Sequence, residues 1–295
     1  MPAEPQMDAP LIVASLLILA ILGSSATLWI RKIQRPHDTI VEKPGVPAWS
    51  IGWVNFGIFL CAMVITVFFV QNIAAALFFA APSEGDAPRE LTPWLAVLAV
   101  LLLQLPMLAV FYGARRFYPG HYASRLNSID LSISSAFRQA LPLFLMFLPV
   151  IWITSLIWSS LLNALKAAGL IETFAPQELI TLFQGGGNPI AIGLLVTMAV
   201  VLAPIVEEII FRGCIYRFLK SQTTLLPAQI LSGCVFSMMH ANLLSFVPLV
   251  IVGVLLARVY EKSGNLIVSM WFHAFFNAFS LLMLLITSMS EVIPQ

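Results

Sequence analysis

The chain has 295 residues, 60% of them hydrophobic and only 10% charged, with a mean hydropathy of +0.94 and a net charge of +1. Soluble domains carry about 25% charged residues, so this composition belongs to a bilayer. A near-neutral balance without a basic stripe excludes a nucleic-acid partner, and Cys61, Cys214 and Cys234 lack framework spacing and read as buried reduced thiols.

In chain order, the N-terminal MPAEPQMDAP carries acids but no Lys or Arg before the first apolar run. That run therefore reads as a retained helix and not a cleaved leader. A membrane helix needs about 20 mostly apolar residues. Such segments lie near residues 9–30, 49–81, 91–112, 136–163, 190–211, 225–241, 244–260 and 265–287. The polar stretch HYASRLNSIDLSISSAFRQ leads into the fourth, and GGGNP breaks the chain before the fifth, with Pro189 in its first turn. From Leu225 to Tyr260 the chain is almost continuously apolar. One helix of that length would measure about 54 Å, so a turn within residues 241–248 is expected to divide it.

These segments predict an all-α, polytopic membrane protein of about eight helices. Charge gives an independent check, because cytoplasmic loops collect Lys and Arg. With both termini outside, thirteen of the fifteen basic residues fall inside, leaving Arg89 and Lys166 outside. The outer segments carry the acids Glu4, Asp8, Glu84, Asp86, Glu90, Glu172, Glu178 and Glu291.

Few ionisable groups then remain in lipid: Glu207 and Glu208 on the fifth helix, His240 on the sixth and His273 on the eighth, with Asn277 as a strong amide partner. Such residues are costly in a membrane and face a cavity or one another, so function is the default reading. Residues four apart share a helix face, which sets Glu208 beside Arg212 and His273 beside Asn277. Glu207 is turned about 100° away and is left to face a cavity, while Pro204 is expected to kink the helix. Plainer readings exist: charges snorkelling at a helix end, a satisfied histidine at a turn, and an interhelical hydrogen-bond pair.

Three motifs stand in order: EEIIFRG at 207–213 (EExxxRG), FSMMH at 236–240 (FxxxH) and HAFFN at 273–277 (HxxxN). Together they resemble the signature of the CPBP intramembrane proteases, the CAAX prenyl endopeptidase and bacteriocin-processing (Abi) family. The resemblance covers roughly residues 190–288 and implies a cavity open to the cytoplasm. It divides the chain into N-terminal helices with an outer segment, 1–185, and a catalytic core, 186–295. It implies that Glu207, helped by His240, activates water, that His273 and Asn277 stabilise the oxyanion, and that Glu208 and Arg212 support the site. The implied partners are membrane lipids and a peptide or membrane-anchored protein substrate.

Two histidines and a glutamate (Glu207, His240, His273) also form an ordinary zinc set. The HExxH helix motif is absent, so a metal-free glutamate mechanism is favoured and zinc stays possible. Rival functions are a proton-coupled transporter using the same groups as a relay and a non-catalytic immunity or scaffold protein of the same fold. The charge pattern suits a bacterial inner membrane with both termini outside and the site facing the cytoplasm.

Overall fold

The computed structural model describes residues 9–34, 45–78, 92–171 and 187–291. Arg35, Lys43, Arg89 and the acids Glu4, Asp8, Glu84, Asp86, Glu90, Glu172 and Glu178 lie outside these residues, as does the expected division at 185/186. The long helices are α1 (Ala9–Gln34), α2 (Trp53–Phe78), α3 (Pro93–Phe117), α4 (Ile133–Ala167), α5 (Pro189–Gln222), α6 (Leu225–Met238), α7 (Phe246–Ser263) and α8 (Leu266–Glu291). No strand occurs among the described residues. Six of these helices are long and apolar enough to cross a membrane; α6 and α7 are not among them. At 14 residues, α6 rises only about 21 Å. The chain is thus an all-helical integral membrane protein.

Local chemistry fixes the helix starts. Thr92, Ser132 and Asn188 each accept a backbone N–H at the N-terminus of α3, α4 and α5, and Pro93 and Pro189 occupy the first turn. At the other end of α7, Gly264 adopts the left-handed conformation (φ 67°) that lets the chain turn straight into α8.

The connections after α1, α3, α5 and α7 meet at one end of the molecule. Trp49 N–H donates to Arg217 O at 3.0 Å, Lys220 Nζ to Val46 O at 2.8 Å, and Ser128 N–H to Gly264 O at 2.8 Å. Leu266 N–H donates to Asn127 Oδ1 at 2.8 Å. Lys220 also pairs with Glu261, which accepts from Tyr216 as well. Arg217, counted on sequence among the loop cations, is in fact buried, donating through Nε to Pro47 O at 2.6 Å. Arg212 is likewise buried inside α5. Cys214 is buried and Cys234 half-buried, but Cys61 is exposed on the outer face of α2, which corrects the reading of three buried thiols.

The helices of the two halves interpenetrate, with α4 packed on both α7 and α8. The tightest approach is between α6 and α7. A Cβ on Gly253 would lie 2.6 Å from Gly233 Cα, so the two backbones touch where both residues lack a side chain. Gly253→Ala is therefore expected to cost about 1–3 kcal/mol by overpacking, whereas Gly57→Ala, with nothing within 4 Å of the added carbon, is expected to be neutral. Thermal unfolding of the two variants checks this, and equal midpoints would refute the close approach.

Candidate active site

Helix α5 carries the acids and is irregular where it does so. It widens into π turns at Met198–Leu202 and Glu208–Tyr216. The first precedes Pro204, which cannot donate a backbone hydrogen bond; Ala203 N–H there reaches back to Met198 O. Wide turns of this kind concentrate at functional sites. Around Pro204, where a bend is expected, the helix thus carries two stretches of altered helical register.

Glu208 is completely buried and fully engaged. Its Oε1 accepts from Arg212 Nη1 at 2.8 Å and faces His273 Nδ1 at 3.1 Å, while Oε2 accepts from Ser269 Oγ at 2.5 Å. Arg212, equally buried, sends Nη2 to Gly253 O at 3.1 Å and lays its guanidinium 4.4 Å over the Phe236 ring. The close α6–α7 contact is what brings that carbonyl within reach.

Glu207 differs in kind. Its side chain is 17% exposed, Oε1 accepts from Gln104 Nε2 at 3.5 Å, and Oε2 lies 3.7 Å from His273 Nε2 without a hydrogen-bond partner. The imidazole of His273 therefore stands between the two carboxylates, held by one and turned toward the other. A carboxylate with a free oxygen can accept a proton; one saturated by three donors cannot do so without breaking them.

His240 lies in the turn just beyond α6, which ends at Met238, and not within the helix as the sequence suggests. Ala241, at φ 45°, stops the helix. His240 N–H bonds Ser237 O, so Phe236 O is released from the helical ladder and the His240 ring Nδ1 takes it at 2.9 Å. A carbonyl only accepts, so Nδ1 carries the proton and Nε2 presents its lone pair. The imidazole rests on Phe236 with ring centroids 4.8 Å apart, and Phe236 meets His273 edge-on at 5.6 Å. Phe236, the first residue of the FxxxH motif, is the shared wall of Arg212, His240 and His273.

Asn277 is one turn from His273 but does not bond to it; Nδ2 donates to Ala199 O, in the first π turn, at 2.8 Å. Beside this bond a groove of about 550 Å³ runs between α5 and α8, lined by Val196, Val200, Val201, Ala278, Leu281 and Leu285 among others. Among the described residues no three His, Cys, Asp or Glu side chains converge to hold a metal ion. Three site partners were not found from sequence: Gln104, Ser269 and Gly253. Only Gln104 left a trace there, as an isolated amide in the apolar run LLLQLP.

A polytopic helical membrane protein with two buried-face carboxylates, an arginine and a bridging histidine is the class this geometry defines. Residues 189–279 match the family model described as Rce1-like, type II CAAX prenyl endopeptidase Rce1-like. The chain is also 30% identical over 93 residues to the Bacillus subtilis (strain 168) protein named "Putative membrane peptidase YdiL", an alignment covering 32% of this chain and 38% of that protein. The chain thus matches less than two-fifths of the length of that relative. No solved structure matches. Residues 189–279, from α5 into α8, are thus similar to the CAAX-protease family, and this stretch contains all six candidate site residues.

Proposed function

We propose that the protein is an intramembrane endopeptidase that hydrolyses a peptide bond in a membrane-proximal or lipid-modified peptide, using water activated by Glu207. The observation that carries this reading is the inequality of the two acids: Glu208 is saturated by Arg212, His273 and Ser269, whereas Glu207 keeps a free buried oxygen. General-base catalysis needs a proton acceptor within reach of a water. His240, with its Nε2 lone pair, assists from the end of α6. His273, through Nε2 in its doubly protonated form, and the amide hydrogen of Asn277 not given to Ala199 serve the oxyanion, where donors lower the barrier most.

The groove beside Asn277 suits the hydrocarbon of a lipid-modified or membrane-anchored substrate. Residues 186–295 form the catalytic core, and the first 185 residues build its walls. The end where the basic connections gather faces the cytoplasm, which sets both termini outside, in a bacterial inner membrane.

Among the described residues Glu207, His240 and His273 do not gather as a metal-holding trio, and the reaction is written without a metal. The test is cleavage of internally quenched peptides bearing a C-terminal CAAX sequence, prenylated or not, by the purified protein, with product mapping. Full activity is expected in metal-free protein after chelation. Activity lost on chelation and restored by zinc overturns the metal-free mechanism, and cleavage of neither peptide overturns the peptidase reading.

A further inference from the structure

One polar side chain reaches Glu207 from outside the α5–α8 cluster. Gln104 sits on α3 among apolar neighbours, 4% exposed, and gives its Nε2 hydrogen to Glu207 Oε1 at 3.5 Å. A glutamine kept only to tie two helices together should be satisfied at both ends, because a buried oxygen without a donor costs about 1–3 kcal/mol. Here the second end is open. Gln104 Oε1 is buried with no partner, and so is Glu207 Oε2. Among the described residues only four buried side-chain polar atoms lack a partner, and this single hydrogen-bonded pair supplies two of them.

Both orphan atoms are acceptors. Two acceptors on bonded neighbours, with nothing to share, suit a small molecule with two hydrogens to donate. Water is the smallest that does so, and buried water characteristically satisfies such groups. His273 Nε2, at 3.7 Å, is too far to satisfy Glu207 Oε2 directly.

Resting on the reading of Glu207 as the base, we propose that Gln104 holds the attacking water: its Oε1 accepts one hydrogen while Glu207 Oε2 removes the other, and its Nε2 fixes Glu207 through Oε1. The O–H bond facing Glu207 breaks and its proton passes to Oε2. The electron pair left on oxygen forms the new bond to the peptide carbonyl carbon, and the second hydrogen stays on that oxygen against Gln104. When the C–N bond breaks, the proton on Glu207 goes to the departing amine. Gln104 lies outside the family-matched segment 189–279, so the N-terminal half takes part in the chemistry as well as forming walls.

The experiment compares wild type, Gln104→Met and Glu207→Gln as full-length protein in detergent, with the prenylated and unprenylated quenched peptides. Methionine keeps the length and removes both polar atoms. The expected result is a fall in kcat of about 10- to 100-fold, the size produced by misplacing a reactant. KM stays within twofold, because uniform binding is untouched. A kcat within twofold of wild type overturns the proposal, and so does a loss expressed in KM alone. If Gln104→Met fails to fold, Gln104→Asn, with the same groups on a shorter arm, is read by the same split. Undiminished activity of Glu207→Gln removes the underlying reading instead, so the two failures are distinct.

Discussion

Glu207→Gln is expected to lower turnover by about 10³- to 10⁴-fold, the upper part of the range for loss of a general base, while leaving the helices assembled. Glutamine has the same shape but cannot take a proton from water. Little else should change, because Glu207 has few structural ties: one long hydrogen bond from Gln104 and a free Oε2. A loss of about 10³ corresponds to about 4 kcal/mol of transition-state stabilisation, more than that bond can supply to stability.

Glu208→Gln provides the contrast. Its carboxylate is the acceptor for Arg212, Ser269 and His273, so losing its charge leaves a buried guanidinium unpaired and weakens the whole core. The pair of variants should therefore separate cleanly, one inactive at near-normal stability and the other destabilised. Cleavage rate and thermal unfolding are measured on the same preparations. A Glu207→Gln protein retaining more than about a tenth of wild-type activity, well short of a general-base effect, would sink the assignment.

The sequence was informative where composition and spacing carry the physics. Apolar length located the helices, since a hydrocarbon core leaves few other ways to satisfy a backbone, although only six of the eight expected spans are long and apolar enough to cross; the break dividing the 225–260 stretch follows from the limit on helix length. The four-residue spacing anticipated the Glu208–Arg212 pair, observed at 2.8 Å. What stayed hidden depends on packing between distant segments. Ser269 is an ordinary serine until α8 lies against α5, and Gly253 contributes only a carbonyl, exposed to Arg212 by the close contact with Gly233. Periodicity places His240 on the helix because it has no means of seeing the positive-φ residue Ala241 just beyond it. For the same reason charge counting puts Arg212 and Arg217 among the cytoplasmic cations, although the fold buries both.

Arg212→Met should be the most damaging substitution for stability, at about 3–5 kcal/mol, the usual cost of removing one partner from a buried ion pair. The guanidinium does three things at once: it neutralises Glu208, bonds the Gly253 carbonyl and covers the face of Phe236. Without it, Glu208 keeps Ser269 and His273 but no permanent charge partner, and Gly253 O loses its side-chain donor. Arg212→Lys should be intermediate, because an ammonium restores the charge but not the planar fork that serves Glu208 and Gly253 together. Adding Glu208→Gln to Arg212→Met should recover part of the loss, since the unpaired buried charge is the costly element and not the absence of attraction. Denaturant titration or thermal unfolding in detergent measures the series. A double variant less stable than Arg212→Met alone would contradict this account. So would an Arg212→Met protein within about 1 kcal/mol of wild type, the value of a surface pair, and the arginine would then be no support for the carboxylate beside it.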